Sequence, residues 1–182
     1  MQFMSEVSKV AVIYKSNYGS TQRYAEWIAE AVNGDLFERS KVKVSDLSNY
    51  DVIVYGGSLH AVGIKGVKII TDNFSQFKDK KVIVYGVGAS PAREEAIKAV
   101  LDKNFNDGIK EKVNFFMLRG GFDYSKLSVG DKILMNMLKH QLEKKKPEEL
   151  DEDMKGLLAC YDQPSDWTDK AAIAPIIDCI YA

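Results

Sequence analysis

Four runs of the chain are apolar at nearly every position: KVAVIY (9–14), YDVIVYGG (50–57), KKVIVYGVG (80–88) and KVNFFMLRGG (112–121). Such short runs, rich in β-branched and aromatic residues and closed by glycines, are the pattern of strands buried on both faces. LFERSKV (36–42) predicts a weaker strand. Elsewhere the apolar positions recur at helical spacing. Tyr24, Ile28, Ala31 and Val32 mark a helix over 20–33, with Gly34 as its stop signal. IKGVKIITDNFSQF (64–77) predicts a second helix. Pro91 suits the first turn of a third, which runs to about Phe105. DWTDKAAIAPIIDCIYA (166–182) predicts a closing amphipathic helix bent at Pro175.

The predicted order is β-α-β-β-α-β-α-β-α-α. Strands that alternate with helical runs and are apolar on both faces imply an α/β fold, a parallel sheet covered by helices on both sides. Residues 122–165 fall outside a minimal five-strand unit and form a long insertion before the last helix, within a single domain over 1–182. In such sheets ligands bind at the carboxyl ends of the strands, where strand order reverses. Each strong strand ends there in a loop of small residues: 16–21, 56–63, 86–90 and 120–121.

The loop after the first strand, YKSNYGSTQ (14–22), carries Ser16, Asn17, Ser20 and Thr21 as neutral donors, Gly19 for close backbone approach, and no acid. With the helix that follows, it reads as a nest for a phosphate. A nucleoside triphosphatase would need G-x-x-x-x-G-K-[ST], and this loop has no such lysine. GVGASP (86–91) lacks the third glycine of a dinucleotide fingerprint and follows the wrong strand. A phospho-receiver domain would place carboxylates where this chain has Tyr14-Lys15 and Tyr55-Gly56.

AVIYKSNYGSTQRYAEWIAEAV resembles the first strand, phosphate loop and first helix of flavodoxins. YDVIVYGGSLHAVG and KVIVYGVGASP are similar to their second and third flavin loops. The likeness covers residues 9 to about 121 and the final helix. It implies the flavodoxin-like order 2-1-3-4-5 in a doubly wound five-stranded parallel sheet, and FMN bound without a covalent link. By that resemblance Ser16, Asn17, Tyr18, Gly19, Ser20 and Thr21 bind the phosphate. Ser58, Leu59, His60, Ala61, Val62 and Gly63 flank the isoalloxazine, and Val87, Gly88, Ala89 and Ser90 touch its other edge. The second and third loops have no aromatic residue at their tips, which leaves one ring face open to a flat substrate.

GGFDYSKLSVGDKILMNMLKH, together with Asp166-Trp167, is similar to the bacterial flavodoxin-like protoporphyrinogen oxidases, which use a quinone as acceptor. The second loop departs from that family in His60-Ala61. The resemblance implies a two-electron FMN oxidoreductase acting on a quinone- or porphyrin-type molecule. A one-electron flavodoxin-type carrier for a redox partner and a ligand-binding module without turnover stand as alternatives. His60 could bond a flavin, shuttle a proton or simply face water. In the insertion, Ile133, Leu134, Met137, Leu138 and Leu142 form one helical stripe among lysines. Residues 126–146 therefore either pack on the sheet or lie on an anionic membrane, and the acidic PEELDED beside them favours packing.

Bulk composition changes this picture little. The 182 residues are 46% hydrophobic and 28% charged, with a formal net charge of -1, so no nucleic-acid partner is indicated. Typical flavodoxin carriers are strongly acidic, and this chain is not. Two cysteines, Cys160 and Cys179, and two histidines give no metal spacing and fit a reducing cytoplasm. MQFMSEVSKV holds no apolar core of signal length, and no run approaches a membrane span.

Overall fold

The computed structural model describes residues 8–182, so most of the amino-terminal MQFMSEVSKV lies outside the described residues. The first apolar run becomes β1 (Val10–Lys15), followed by α1 (Ser20–Val32), β2 (Asp35–Glu38) and β3 (Val52–His60). A short strand β4 (Gly63–Ile64) and a single turn α2 (Lys68–Thr71) precede β5 (Lys81–Gly88). Then come α3 (Glu94–Asn104), α4 (Asp107–Lys110), β6 (Asn114–Arg119) and β7 (Gly121–Phe122). The insertion supplies α5 (Val129–Glu143) and α6 (Glu152–Ala159), and β8 (Ser165–Asp166) and α7 (Ala174–Tyr181) close the chain.

The main strands pair in the order β2-β1-β3-β5-β6, all parallel. Counting those five alone, this is the expected 2-1-3-4-5. Successive side chains point to opposite faces, so each strand feeds two cores. Val10, Val12, Val54, Ile83 and Tyr85 face α1 and α7, where Tyr24, Ile28, Ile176 and Ile180 meet them. Ala11, Ile13, Ile53, Tyr55 and Val84 face the other layer, with Ile69, Ile70, Phe77, Val100 and Ile109.

Two fully buried tyrosines, Tyr55 and Tyr85, tie these cores to the loops. The Tyr55 hydroxyl donates to Lys65 O at 2.6 Å and the Tyr85 hydroxyl to Thr21 O at 3.1 Å. Burial pushes the pKa of both up, so both stay neutral. Gly56 makes room for Tyr85: a Cβ there would stand 2.0 Å from Tyr85 Cζ.

Three expectations about helices change. The segment 64–77 is not one helix. Ala61 adopts φ 53° and lets the chain fold back, so that Leu59 pairs with Ile64 and His60 with Gly63. Gly66, at φ 76°, blocks any helix passing through it. Asn104 at the end of α3 fastens this hairpin, accepting from Ile64 N–H at 2.9 Å and donating to Val62 O at 2.7 Å. Pro91 precedes α3 rather than opening it, because Arg93 is extended at its N-cap. Pro175 bends nothing. It sits in the first turn of α7, where its missing N–H costs no bond. Asp166 leaves the predicted closing helix altogether and forms β8 with Ser165.

β8 pairs antiparallel with β7, Gly121 opposite Asp166 and Phe122 opposite Ser165. The insertion therefore leaves and re-enters the sheet edge through one paired base. Asp166 secures it, accepting from Arg23 Nη1 at 2.7 Å and from Thr168 N–H at 3.0 Å. The Thr168 amide and the Arg23 guanidinium hold its carboxyl at a pKa of about 2. No helix among the described residues is long and apolar enough to cross a membrane.

Gly56→Ala is expected to destabilise the fold by about 1–3 kcal/mol, since the buried Tyr85 ring has nowhere to move. Urea unfolding checks it: the midpoint should fall with an unchanged m-value.

Candidate functional site

β1 and β3 lie side by side in register from Val10↔Val52 to Lys15↔Gly57. Their carboxyl ends release two loops next to each other, at the point where strand order reverses. Ser58 joins them. Its Oγ accepts from Asn17 N–H at 3.1 Å and lies 2.9 Å from Thr21 Oγ1. Ser16 Oγ accepts from Gly19 N–H at 3.0 Å, which closes the first loop into a tight turn. Gly19 is the N-cap of α1 at φ 98°, a conformation that glycine adopts without strain. Having no side chain, it cannot cap the helix. The amides of the first turn, with no acid among its side chains, face outward with the positive end of the dipole.

A cavity of about 390 Å³ opens above these loops. Of the residues expected from the sequence, it is lined by Asn17, Tyr18, Ser20, Thr21, Ser58, Leu59, His60, Ala61, Val87, Gly88 and Ala89. Five others stand back from it. Ser16 and Gly19 shape the first turn. Val62 packs towards the core beneath, and Gly63 is held in the hairpin. Ser90 faces a second cavity of about 350 Å³ between the third loop and α6. There Arg119 stacks 4.0 Å above the Trp167 ring and donates from Nε to Ala89 O at 2.8 Å, which steadies the third loop from outside.

Gly120 and Gly121, the fourth strand-end loop, line it as well, and the insertion adds residues that were not expected: Phe122 at its base, then Leu127, Asp131, Leu134, Met135 and Leu138. The insertion thus roofs the cavity, and its side chains there, from Leu127 to Leu138, are apolar except Asp131. α5 rests on Phe122, Tyr124 and Tyr161. The rings of Phe122 and Tyr124 stand 6.0 and 5.2 Å from Tyr161, whose hydroxyl donates to Met135 O. Gly120 and Gly121 let the base come close to α1. A Cβ on Gly120 would meet Val87 Cγ1 at 2.8 Å, and Gly121 N–H donates to Ser20 Oγ at 2.9 Å.

One carboxylate fastens the roof to both loops. Asp131 Oδ2 accepts from the Tyr18 hydroxyl at 2.6 Å, and Oδ1 accepts from His60 Nε2 at 2.9 Å. Ser128, the N-cap of α5, accepts from Asp131 N–H and donates its own N–H to the Tyr18 oxygen. The Tyr18 hydroxyl, then Ser128 and His60, hold the Asp131 carboxyl below the usual aspartate range. Asp123, after Gly120-Gly121-Phe122, caps the turn that follows: it accepts from Ser125 and pairs with Lys126 at 3.3 Å.

The site can hold an anion at the α1 end with neutral donors, and a flat apolar body between β3, β5 and α5. Its clasp depends on pH. A carboxyl whose pKa is lowered by folding stabilises above its unfolded value, near 3.9, and loses that stabilisation as pH falls through the folded value. Asp131→Ala is expected to speed amide exchange across Val129–Glu143 about tenfold at pH 7, with the sheet amides unchanged. In the unsubstituted protein the same loosening should appear only below about pH 4.

A family profile described as the flavodoxin domain matches residues 11–149. An uncharacterized protein of Methanocaldococcus jannaschii is 26% identical over 106 residues, which cover 57% of this chain and 67% of that protein. A flavodoxin of Maridesulfovibrio salexigens is 32% identical over 98 residues, 46% of this chain and 66% of that protein. Among solved structures, a flavoprotein in complex with FMN from Lactobacillus acidophilus aligns with 62% of this chain and 92% of its own, at 16% identity and a TM-score of 0.40. With the profile spanning most of its length and the sheet wound in the matching order, this chain belongs to the flavodoxin-domain family.

Proposed function

We propose that this protein binds FMN in the roofed cavity and works as a two-electron oxidoreductase, similar to the quinone-linked protoporphyrinogen oxidases. The residues present fit that cofactor. The hydroxyls and first-turn amides around Gly19 suit a phosphate, and a cavity of about 390 Å³ lies within the range of small-molecule sites. Leu59, Val87, Phe122 and Leu134 supply apolar walls for a ring system. FMN supplies the electron chemistry when bound; the protein holds it, orients it and limits water around it.

The observation that carries the two-electron reading is the His60–Asp131 pair at the cavity wall. A carrier of single electrons has little use for an oriented group that exchanges protons, whereas removing or adding hydrogen on an organic substrate is served by one. Asp131 orients the imidazole, so that His60 Nε2 carries a proton and Nδ1 is left to exchange one with solvent or substrate. The aliphatic inner side of α5 favours a flat apolar partner, of quinone or porphyrin type, over a small polar one.

Reconstitution with FMN followed by an anaerobic potentiometric titration tests the reading. A single wave with a Nernst slope of about 30 mV per decade is expected, whereas two separated waves of about 59 mV would move it to a one-electron carrier. Protein that retains no FMN after gel filtration would leave only a ligand-binding role. With protoporphyrinogen as donor and a menaquinone analogue as acceptor, His60→Gln is expected to keep FMN and lose about 100-fold in turnover, read by porphyrin fluorescence.

A further inference from the structure

α5 has two apolar faces, and only one is used. Leu138 and Met135 line the cavity and Leu142 is buried; Leu134 lines the cavity at its rim and is still 52% exposed, and Val129, Ile133 and Met137 are 77%, 57% and 58% exposed. These four account for most of the large exposed hydrophobic residues among the described residues. Of the predicted stripe, Leu142 is buried and Leu134 and Leu138 line the cavity, whereas Ile133 and Met137 do not pack inward as the sequence favoured. At about 100° per residue, the outer face of the helix spans an arc of about 140°. That arc carries these four side chains with Gly130, His140, Gln141 and Lys144 and no acid.

Four of the five acids of PEELDED that argued against an anionic surface are engaged locally, and Glu148 alone makes no bond among the described residues. Asp151 and Asp153 pair with Arg93 at the start of α3, and Glu152 pairs with Lys155 at 2.9 Å. Glu149 turns back to accept from Lys146 N–H at 2.9 Å. On α5 itself, Glu143 faces Lys139 at 4.0 Å. Lys144 and Lys146 are exposed and make no ion pair among the described residues. An aliphatic face bordered by unpaired lysines is complementary to a hydrocarbon boundary beneath anionic headgroups, and it is large enough to lie in that interface without spanning it.

We infer that the outer face of α5 is a membrane-docking surface that seats this protein on an anionic bilayer, with the cofactor cavity directly behind the docked helix. The occupant is the lipid surface rather than a protein, because the exposed aliphatic side chains lie along one helix and the free charges at its carboxyl end are the cations Lys144 and Lys146, while Glu143 is turned to Lys139. The inference goes beyond the redox reading and does not need it, since docking is measured without turnover.

The test is co-sedimentation of the full chain with vesicles of phosphatidylcholine alone or mixed with phosphatidylglycerol. Binding is expected to the mixed vesicles only, and to fall as salt is raised. Ile133→Asp with Met137→Asp should weaken it at least about tenfold. Lys144→Ala and Lys146→Ala should each weaken it about fivefold. All four side chains are exposed, so circular dichroism and the urea midpoint should be unchanged. The lysine variants test the inference even if the double aspartate variant folds poorly. No sedimentation with either vesicle, equal sedimentation with both, or insensitivity to these substitutions overturns it. So does a dimer in light scattering that the double aspartate variant dissolves without any vesicle binding, which would assign the face to a second copy of the chain.

Discussion

Everything functional here hangs on the parallel pairing of β1 with β3. That register sets Lys15 beside Gly57, and so brings the loop after each strand to the same corner of the sheet. Ser58 then needs only its own hydroxyl to receive Asn17 and reach Thr21, and the two loops become one surface. The pairing is enforced from both sides by the fully buried side chains of Ile13, Ile53, Val54 and Tyr55, which have no alternative place to go. A one-residue slip would send each of them to the wrong core. The precision of the site is therefore inherited from hydrophobic packing, not from the polar groups that line it.

On this corner the chain builds a second storey. The β7–β8 pair holds the ends of the insertion together, the Ser20–Gly121 bond ties that base to α1, and Asp131 draws the far end down onto both loops. Between these attachments α5 rests on Phe122, Tyr124 and Tyr161. Of these three rings only Phe122 also lines the cavity; the other two support the roof from behind.

The sheet was readable from the sequence because its central strands are buried on both faces, which makes β1, β3 and β5 apolar at nearly every position; β6, at the edge and only partly buried, carries the same kind of run. α1 was readable because a single core selects Tyr24, Ile28 and Val32 at helical spacing. The error at 64–77 has an equally physical source. Residues 67–77 have a plausible helical pattern, but a positive φ at Gly66 and the reversal at Ala61 outweigh it. Pro91 and Pro175 show how ambiguous a proline is, since one sits before a helix and the other starts one. The phosphate and flavin loops were visible as small-residue strand ends. Asp131 was not, because one acid in a lysine-rich helix carries no local signal. Its partners Tyr18 and His60 lie 113 and 71 residues away, and only the folded chain brings them together.

The double use of α5 has a thermodynamic consequence. Its inner side belongs to the cavity and its outer side to the surroundings, and it moves as one rigid turn-by-turn unit. Any equilibrium that shifts this helix on one side is linked to the equilibrium on the other. If occupancy of the cavity firms the seating of α5 and so strengthens what adheres outside by some factor, adhesion must strengthen cavity occupancy by that same factor. The coupling needs no relay through the sheet, because both ligands would act on opposite faces of a single element about one helix diameter thick.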